Sequence, residues 1–175
     1  MLRAGKAGLT LCPFSLNHYT AKWYRQAAEQ GGADAQHTLG VMYDNGQGVP
    51  KDFQEAARWY RLAADQGHAK AQTLLGRMYA QGQGVAQNDQ EAFRGVRKAA
   101  NQGYAPAEAL LGSMYYEGRS GAPQDYVLAH MWLNLAAAQG FEKAAELRDL
   151  LEEYMTPAQL AEAQRRAREW KPKGK

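Results

Sequence analysis

One cysteine in 175 residues leaves Cys12 nothing to pair with, so no internal disulfide framework holds this chain. The lone thiol says little about redox compartment. Long apolar runs are also missing: no stretch reaches about 18 residues, which excludes an ordinary membrane-spanning helix. Metal-ligand spacing is absent. There is no His-Glu-x-x-His and no Cys-x-x-Cys, and the four histidines, His18, His37, His68 and His130, are scattered. None of the serines Ser15, Ser113 and Ser120 is followed three residues later by lysine, so a β-lactamase-type nucleophile is not written here. "GQGVPKD" at 46–52 lacks the Gly-Lys-Ser/Thr ending of a phosphate loop, and no strand precedes it. It reads as a turn between helices. Neither a metal nor a cofactor is expected.

What the chain does have is repetition. "LGVMYDNGQGVPKD" starts at Leu39, "LGRMYAQGQGVAQND" at Leu75 and "LGSMYYEGRSGAPQD" at Leu111, a spacing of 36 residues. Full units run over 33–68, 69–104 and 105–141, the last with one extra residue in its 118–121 loop. A half unit covers 18–32, where "WYRQAAEQGG" matches "WYRLAADQGH" at 59–68. Each unit predicts two helices. Ala35, Leu39, Met42 and Tyr43 share one face of the first. Gly40 sits on that helix at a propensity cost of about 1 kcal/mol. Its return as Gly76 and Gly112 predicts a close approach by the neighbouring helix. Asp52 with Glu55, and Asn88 with Glu91, read as capping boxes opening the second helix. Ala56, Trp59, Tyr60, Ala63 and Ala64 point it inward. A two-helix unit cannot bury its apolar stripe alone, so stacked copies must cover one another.

The pattern Leu-Gly-x-Met-Tyr, Gly-x-Gly-Val, then Ala-x-x-Trp-Tyr-x-x-Ala-Ala-x-x-Gly resembles the Sel-one-like repeat family, a relative of the tetratricopeptide repeat. That resemblance implies an all-α fold, a right-handed superhelical solenoid of antiparallel helix pairs. Relatives linked to β-lactamase activity resemble cysteine-rich chains, unlike this one. The middle unit departs from the pattern: Gly95 and Val96 stand where Trp59 and Tyr60 stand one unit earlier. A weaker second helix and a shallow groove are expected there.

The ends differ from the middle. Residues 1–17 read as an irregular segment, followed by a helix at about 19–30 that lacks its partner helix. Trp23, Ala27 and Ala28 would face water unless Leu9, Leu11, Phe14 and Leu16 fold back over them, or a second copy dimerises through this uncapped end. Residues 142–175 read as a capping helix pair with a basic tail. Leu147, Leu150, Leu151 and Tyr154 form one face, and Leu160, Ala163, Ala167 and Trp170 another. Residues 156–175 hold six Lys or Arg and two Glu, a net +4, which leaves −1 on the remainder. Glu162 with Arg166 and Arg165 with Glu169 are spaced to pair on the helix surface. Arg3 and Lys6 precede too short an apolar run for an export signal. A soluble, cytoplasmic chain is expected as written, and a periplasmic or secreted one if the native start lies upstream.

If the repeats build a scaffold, information lies where they differ. The variable positions of the first helices fall on one stripe: Asp34, His37, Val41 and Asp44, then Lys70, Thr73, Arg77 and Gln81, then Ala109, Ser113, Tyr116 and Glu117. In tetratricopeptide-like relatives such a stripe lines the concave face, and the resemblance implies the same here. Arg77 can grip a carboxylate in two-pronged fashion and Tyr116 can anchor an interface. The expectation is a non-catalytic scaffold that binds another protein or peptide. The alternatives are a cell-wall or glycan-acting enzyme, and a nucleic-acid or membrane-surface binder working through Arg165, Arg166, Arg168, Lys171 and Lys173. Neither nucleic acid nor membrane is the expected partner.

Overall fold

A computed structural model describes residues 13–173. Among them lie nine helices and no strand: α1 Pro13–Glu29, α2 Ala33–Asn45, α3 Phe53–Asp65, α4 Ala69–Gln81, α5 Asp89–Asn101, α6 Ala105–Glu117, α7 Tyr126–Ala138, α8 Glu142–Glu152 and α9 Pro157–Glu169. Each helix from α1 to α7 packs on the next along the array, whereas α9 packs on α7 rather than on α8. The fold is an all-α repeat. Helix α1 starts at Pro13, earlier than the start near residue 19 read from the repeat pattern.

The recurring glycines work as their spacing predicts. A Cβ on Gly40 would stand 2.6 Å from the Tyr60 ring. On Gly112 it would stand 2.7 Å from Leu133 Cγ and 3.1 Å from the Ala129 carbonyl oxygen. The first helix of each unit therefore lies backbone-close against the second. Each first helix then ends on a left-handed glycine, Gly46, Gly82 or Gly118, where a side chain would be strained.

Capping differs from expectation in one respect. Asp52 Oδ1 accepts from the Gln54 and Glu55 amides, and Asn88 Oδ1 from that of Glu91. The return half of the box is not made. The Asp52 and Asn88 amides donate instead to the carbonyls of Tyr43 and Tyr79 on the preceding helix. Glu55 and Glu91 are left to pair with Arg58 and Arg94. At Thr156 and Gln159 the full capping box is present.

A ladder of amides stitches unit to unit. Gln36 Nε2 donates to the Ala28 carbonyl while Gln36 Oε1 accepts from Gln66. Gln72 does the same with Ala64 and Gln102. The third rung is Glu108, whose Oε2 accepts from Gln139 at 2.8 Å. Glu108 is fully buried, and its Oε1 has no partner. Burial pushes its carboxyl up to about 7, against which the Gln139 hydrogen bond pulls slightly down. A protonated Glu108 reproduces the amide it replaces, with the hydroxyl as donor.

The core divides in two. One cluster runs from Ala21 to Met78, the other from Ala92 to Ala167, and the boundary falls at the unit that lacks the tryptophan. Helix α5 keeps the full 13 residues of its counterpart α3 despite Gly95. At the N-terminal end Trp23 is 74% exposed and Ala27 is exposed, but Ala28 is buried, contrary to expectation, because α2 packs over it. Leu9 and Leu11 lie outside the described residues, as do the side chains of Phe14 and Leu16. At the other end Trp170 meets Trp132 edge-on at 5.6 Å, and the Lys173 amide donates to the Asn101 carbonyl. Leu151 is buried, yet Leu150 and Tyr154 are 58% and 62% exposed, so the apolar face read on α8 is only half covered. No further helix follows to pack on that half among the described residues.

Two substitutions test this packing. Gly112→Ala should lower stability by about 1–3 kcal/mol in a urea melt, because overpacking outweighs the propensity gain. Glu108→Gln should raise stability by about 2 kcal/mol at pH 8. The native state holds this proton between the ordinary value of 4.5 and about 7, so wild-type stability from this group is fullest below 4.5 and declines as pH rises through that window. The variant should lose that decline.

Candidate partner-binding face

Helices α2, α4 and α6 are the first helices of successive units, and α4 touches α6 directly. Across their N-terminal halves opens a hollow of about 390 Å³. Its floor and walls are apolar: Leu74 from α4, Pro106, Ala109 and Leu110 from α6, with Tyr104 and Phe141 from the turns before α6 and α8. Its polar edge is His37, Lys70, Thr73 and Arg77. Among the described residues no carboxylate lines it.

The electrostatics of that edge follow from a chain of contacts. The His68 Nδ1 accepts from the Ala71 amide at 3.2 Å, which leaves the proton on Nε2, 3.1 Å from Asp34 Oδ1. The His37 ring stacks on His68 with centroids 4.6 Å apart. Burial first, then His68 and Lys70, push His37 down from 6.5 to about 4. At neutral pH His37 is therefore an uncharged aromatic surface, and the charges on the hollow are the cations Lys70 and Arg77. Thr73 donates its hydroxyl to the Ala69 carbonyl and is buried, so it offers a methyl wall.

The twelve stripe residues do not all line one hollow. His37, Lys70, Thr73, Arg77 and Ala109 meet in this hollow. Arg77 also borders a second hollow of about 230 Å³, with Gln81, Ser113 and Glu117. Asp34 is engaged by His68. Val41 packs against the core, and Asp44 accepts from the Tyr60 hydroxyl. Tyr116 lines neither hollow, and its ring lies 6.0 Å from that of Tyr126 on α7. Stripe positions seven apart are about 10 Å apart along a helix, too far to share one pocket.

Tyr104 and Phe141 were not among the stripe residues, although a signal for them exists. Both occupy N-cap positions where neither side chain can cap. His68, at the same place in the previous unit, does cap. An aromatic at a capping position is free for other use.

A family model described as Sel1 repeat matches residues 18–32, 33–68, 69–104 and 105–141. The chain belongs to the Sel1 repeat family. A Sel1 repeat protein from Oxalobacter formigenes shares 37% identity over 75% of this chain and 54% of its own, with a TM-score of 0.69. The protein c5321, a protective antigen of uropathogenic Escherichia coli strains displaying an SLR fold, shares 30% identity over 86% of this chain and 40% of its own, with a TM-score of 0.66. This Sel1 chain thus spans about half the length of those structures or less. No curated protein matches it. Among the described residues no helix is long and apolar enough to cross a membrane, and no three His, Cys, Asp or Glu side chains are grouped to hold a metal.

The histidine stack has a titration signature. By NMR, His37 should stay neutral until about pH 4. Because the unfolded chain takes that proton first, stability from this group should fall as pH drops from 6.5 towards 4. His37→Asn should remove this fall, whose sign is opposite to that of Glu108.

Proposed function

We propose that this Sel1 repeat chain is a non-catalytic scaffold that binds a protein or peptide partner in the hollow shared by α2, α4 and α6. The observation that supports the reading is the pairing of an apolar floor with two uncompensated cations. Tyr104, Leu110 and Phe141 offer area that gains from burial, while Lys70 and Arg77 stand at its edge with no acid in its lining among the described residues. Both relatives above share the repeat architecture, and Sel1 repeat proteins generally serve as interaction scaffolds. The groove is built before the partner arrives, so little ordering cost is met on association. The partner that fits is a segment with apolar side chains followed by a carboxylate within reach of Arg77. Tyr116 belongs to this proposal only if the partner extends past α6 towards α7.

The basic tail supports the competing nucleic-acid reading less well. Arg165 is held between Glu162 and Glu169, and Arg166 is held by Glu162, so two of the tail's six cations are already paired. No comparison favours a glycan-acting enzyme.

A photo-crosslinking side chain at position 109 should capture the partner from source cells. The purified partner should then lose about tenfold or more in affinity for Lys70→Glu and for Arg77→Glu, both at exposed positions. Arg165→Glu should change nothing. Unchanged affinity in both groove variants would overturn the assignment, and a loss confined to the Arg165 variant would move the site to the tail.

A further inference from the structure

A second hollow lies away from that face, between α3, α4 and α5, with a volume of about 130 Å³. It is bordered by Gly95, the residue that breaks the repeat. The two neighbouring units show what this place is built for. Trp59 and Trp132 hold the matching positions and are buried, 5% and 6% exposed. The wall beneath them is the same in all three units. Leu39, Leu75 and Leu111 match, as do Gly40, Gly76 and Gly112, and Tyr43, Tyr79 and Tyr115. Arg61 donates to the Tyr79 hydroxyl as Arg25 donates to that of Tyr43.

Only the lid is missing, and burial records its absence. Leu39 and Leu111 are completely buried, whereas Leu75 is partly exposed. Tyr43 and Tyr115 are buried, whereas Tyr79 is not. Ala28 and Ala100 are buried, whereas Ala64 is not. The middle unit has thus kept a tryptophan socket and lost its tryptophan. A dry cavity of about 150 Å³ is enough to bind benzene, so the space matches one aromatic ring.

The edge of the socket has changed as well. Lys98 stands where the neighbouring units carry Leu62 and Leu135. Lys98 has no ion-pair partner among the described residues, while Arg94 is paired to Glu91 at 2.7 Å. In the unit before, Arg58 lies 5.2 Å from the Trp59 ring centroid, and Arg94 is its counterpart. Asp65 and Glu91 also line the socket, so its aromatic seat is rimmed by Arg61, Arg94 and Lys98 against two acids, a net of one positive charge.

We infer that the hollow at Gly95 is a second binding site, which takes one aromatic side chain, best a tryptophan, flanked by a carboxylate on a segment of a partner protein. The segment supplies the ring that the repeat omits, and its acid meets Lys98. Trp23 of a second copy is a poorer occupant, since Lys22 and Arg25 flank it and would add two cations to a rim whose lining is already net positive. The site does not rest on the groove formed by the first helices, and it lies on other residues.

The test uses the full chain, labelled for amide NMR, and three blocked tripeptides: acetyl-Glu-Trp-Glu-amide, acetyl-Glu-Leu-Glu-amide and acetyl-Lys-Trp-Lys-amide. The first should shift amides of residues 72–79 and 91–98 with a dissociation constant of about 1 mM, and the other two should bind at least about fivefold more weakly. Gly95→Trp fills the socket from within and should abolish these shifts. A Cβ at Gly95 would stand 3.1 Å from the Gln72 carbonyl oxygen, so that variant needs a small adjustment to fold. Lys98→Leu restores the neighbours' residue at an exposed position and should weaken the acidic peptide about threefold. The inference fails if the leucine peptide binds as well as the tryptophan peptide, or if neither shifts the amide of Gly95 at about 10 mM. It also fails if folded Gly95→Trp binds like wild type. Shifts confined to α2 and α6 would sink this site and leave the groove proposal standing. A concentration-dependent dimer that Gly95→Trp abolishes would assign the socket to a second copy and overturn the outside partner.

Discussion

At Gly40, Gly76 and Gly112 the two helices of a unit approach so closely that no side chain fits between them. Everything else depends on that contact. It brings the inward residues of the second helix over Leu39, Leu75 and Leu111, and it sets the depth at which a tryptophan or tyrosine can lie. A methyl group there would push the helices apart and disturb every contact stacked upon them. The propensity lost at each glycine, about 1 kcal/mol, is offset by dispersion along the whole interface.

Much of this was legible in the sequence because the repeat supplies its own controls. Three recurrences separate a structural glycine from an incidental one. The same comparison marks Gly95 as the odd member. Capping was legible only in part. Residue types mark Asp52 and Asn88 as caps, but the Tyr43 and Tyr79 carbonyls compete for their amides, and that competition is a tertiary fact. The exposure of Leu150 and Tyr154 was hidden for a similar reason: periodicity shows that a face is apolar, not that something covers it.

The candidate site was less legible than the fold. Variability singled out a stripe on three helices, two of whose positions, Thr73 and Ala109, are buried. The structure gathers Arg77 with His37 and Ala109 and leaves Tyr116 elsewhere. What closes the hollow is a pair of aromatics at the starts of helices, Tyr104 and Phe141, where the convention for helix starts calls for small polar residues. His37 also changes meaning in three dimensions. Alone it reads as a solvated imidazole, but stacked on His68 and half-buried it acts as a neutral ring.

The division of the apolar core at the unit without a tryptophan bears on how this molecule opens. A linear array frays from its ends, each unit depending mainly on its neighbours. Where the apolar contact is continuous, loss of one unit weakens the next. The two buried clusters part between Met78 and Ala92, so fraying that starts at either terminus should slow at the middle unit. The two halves then behave as separate blocks of hydrogen-exchange protection. A ligand seated at Gly95 would join them into one.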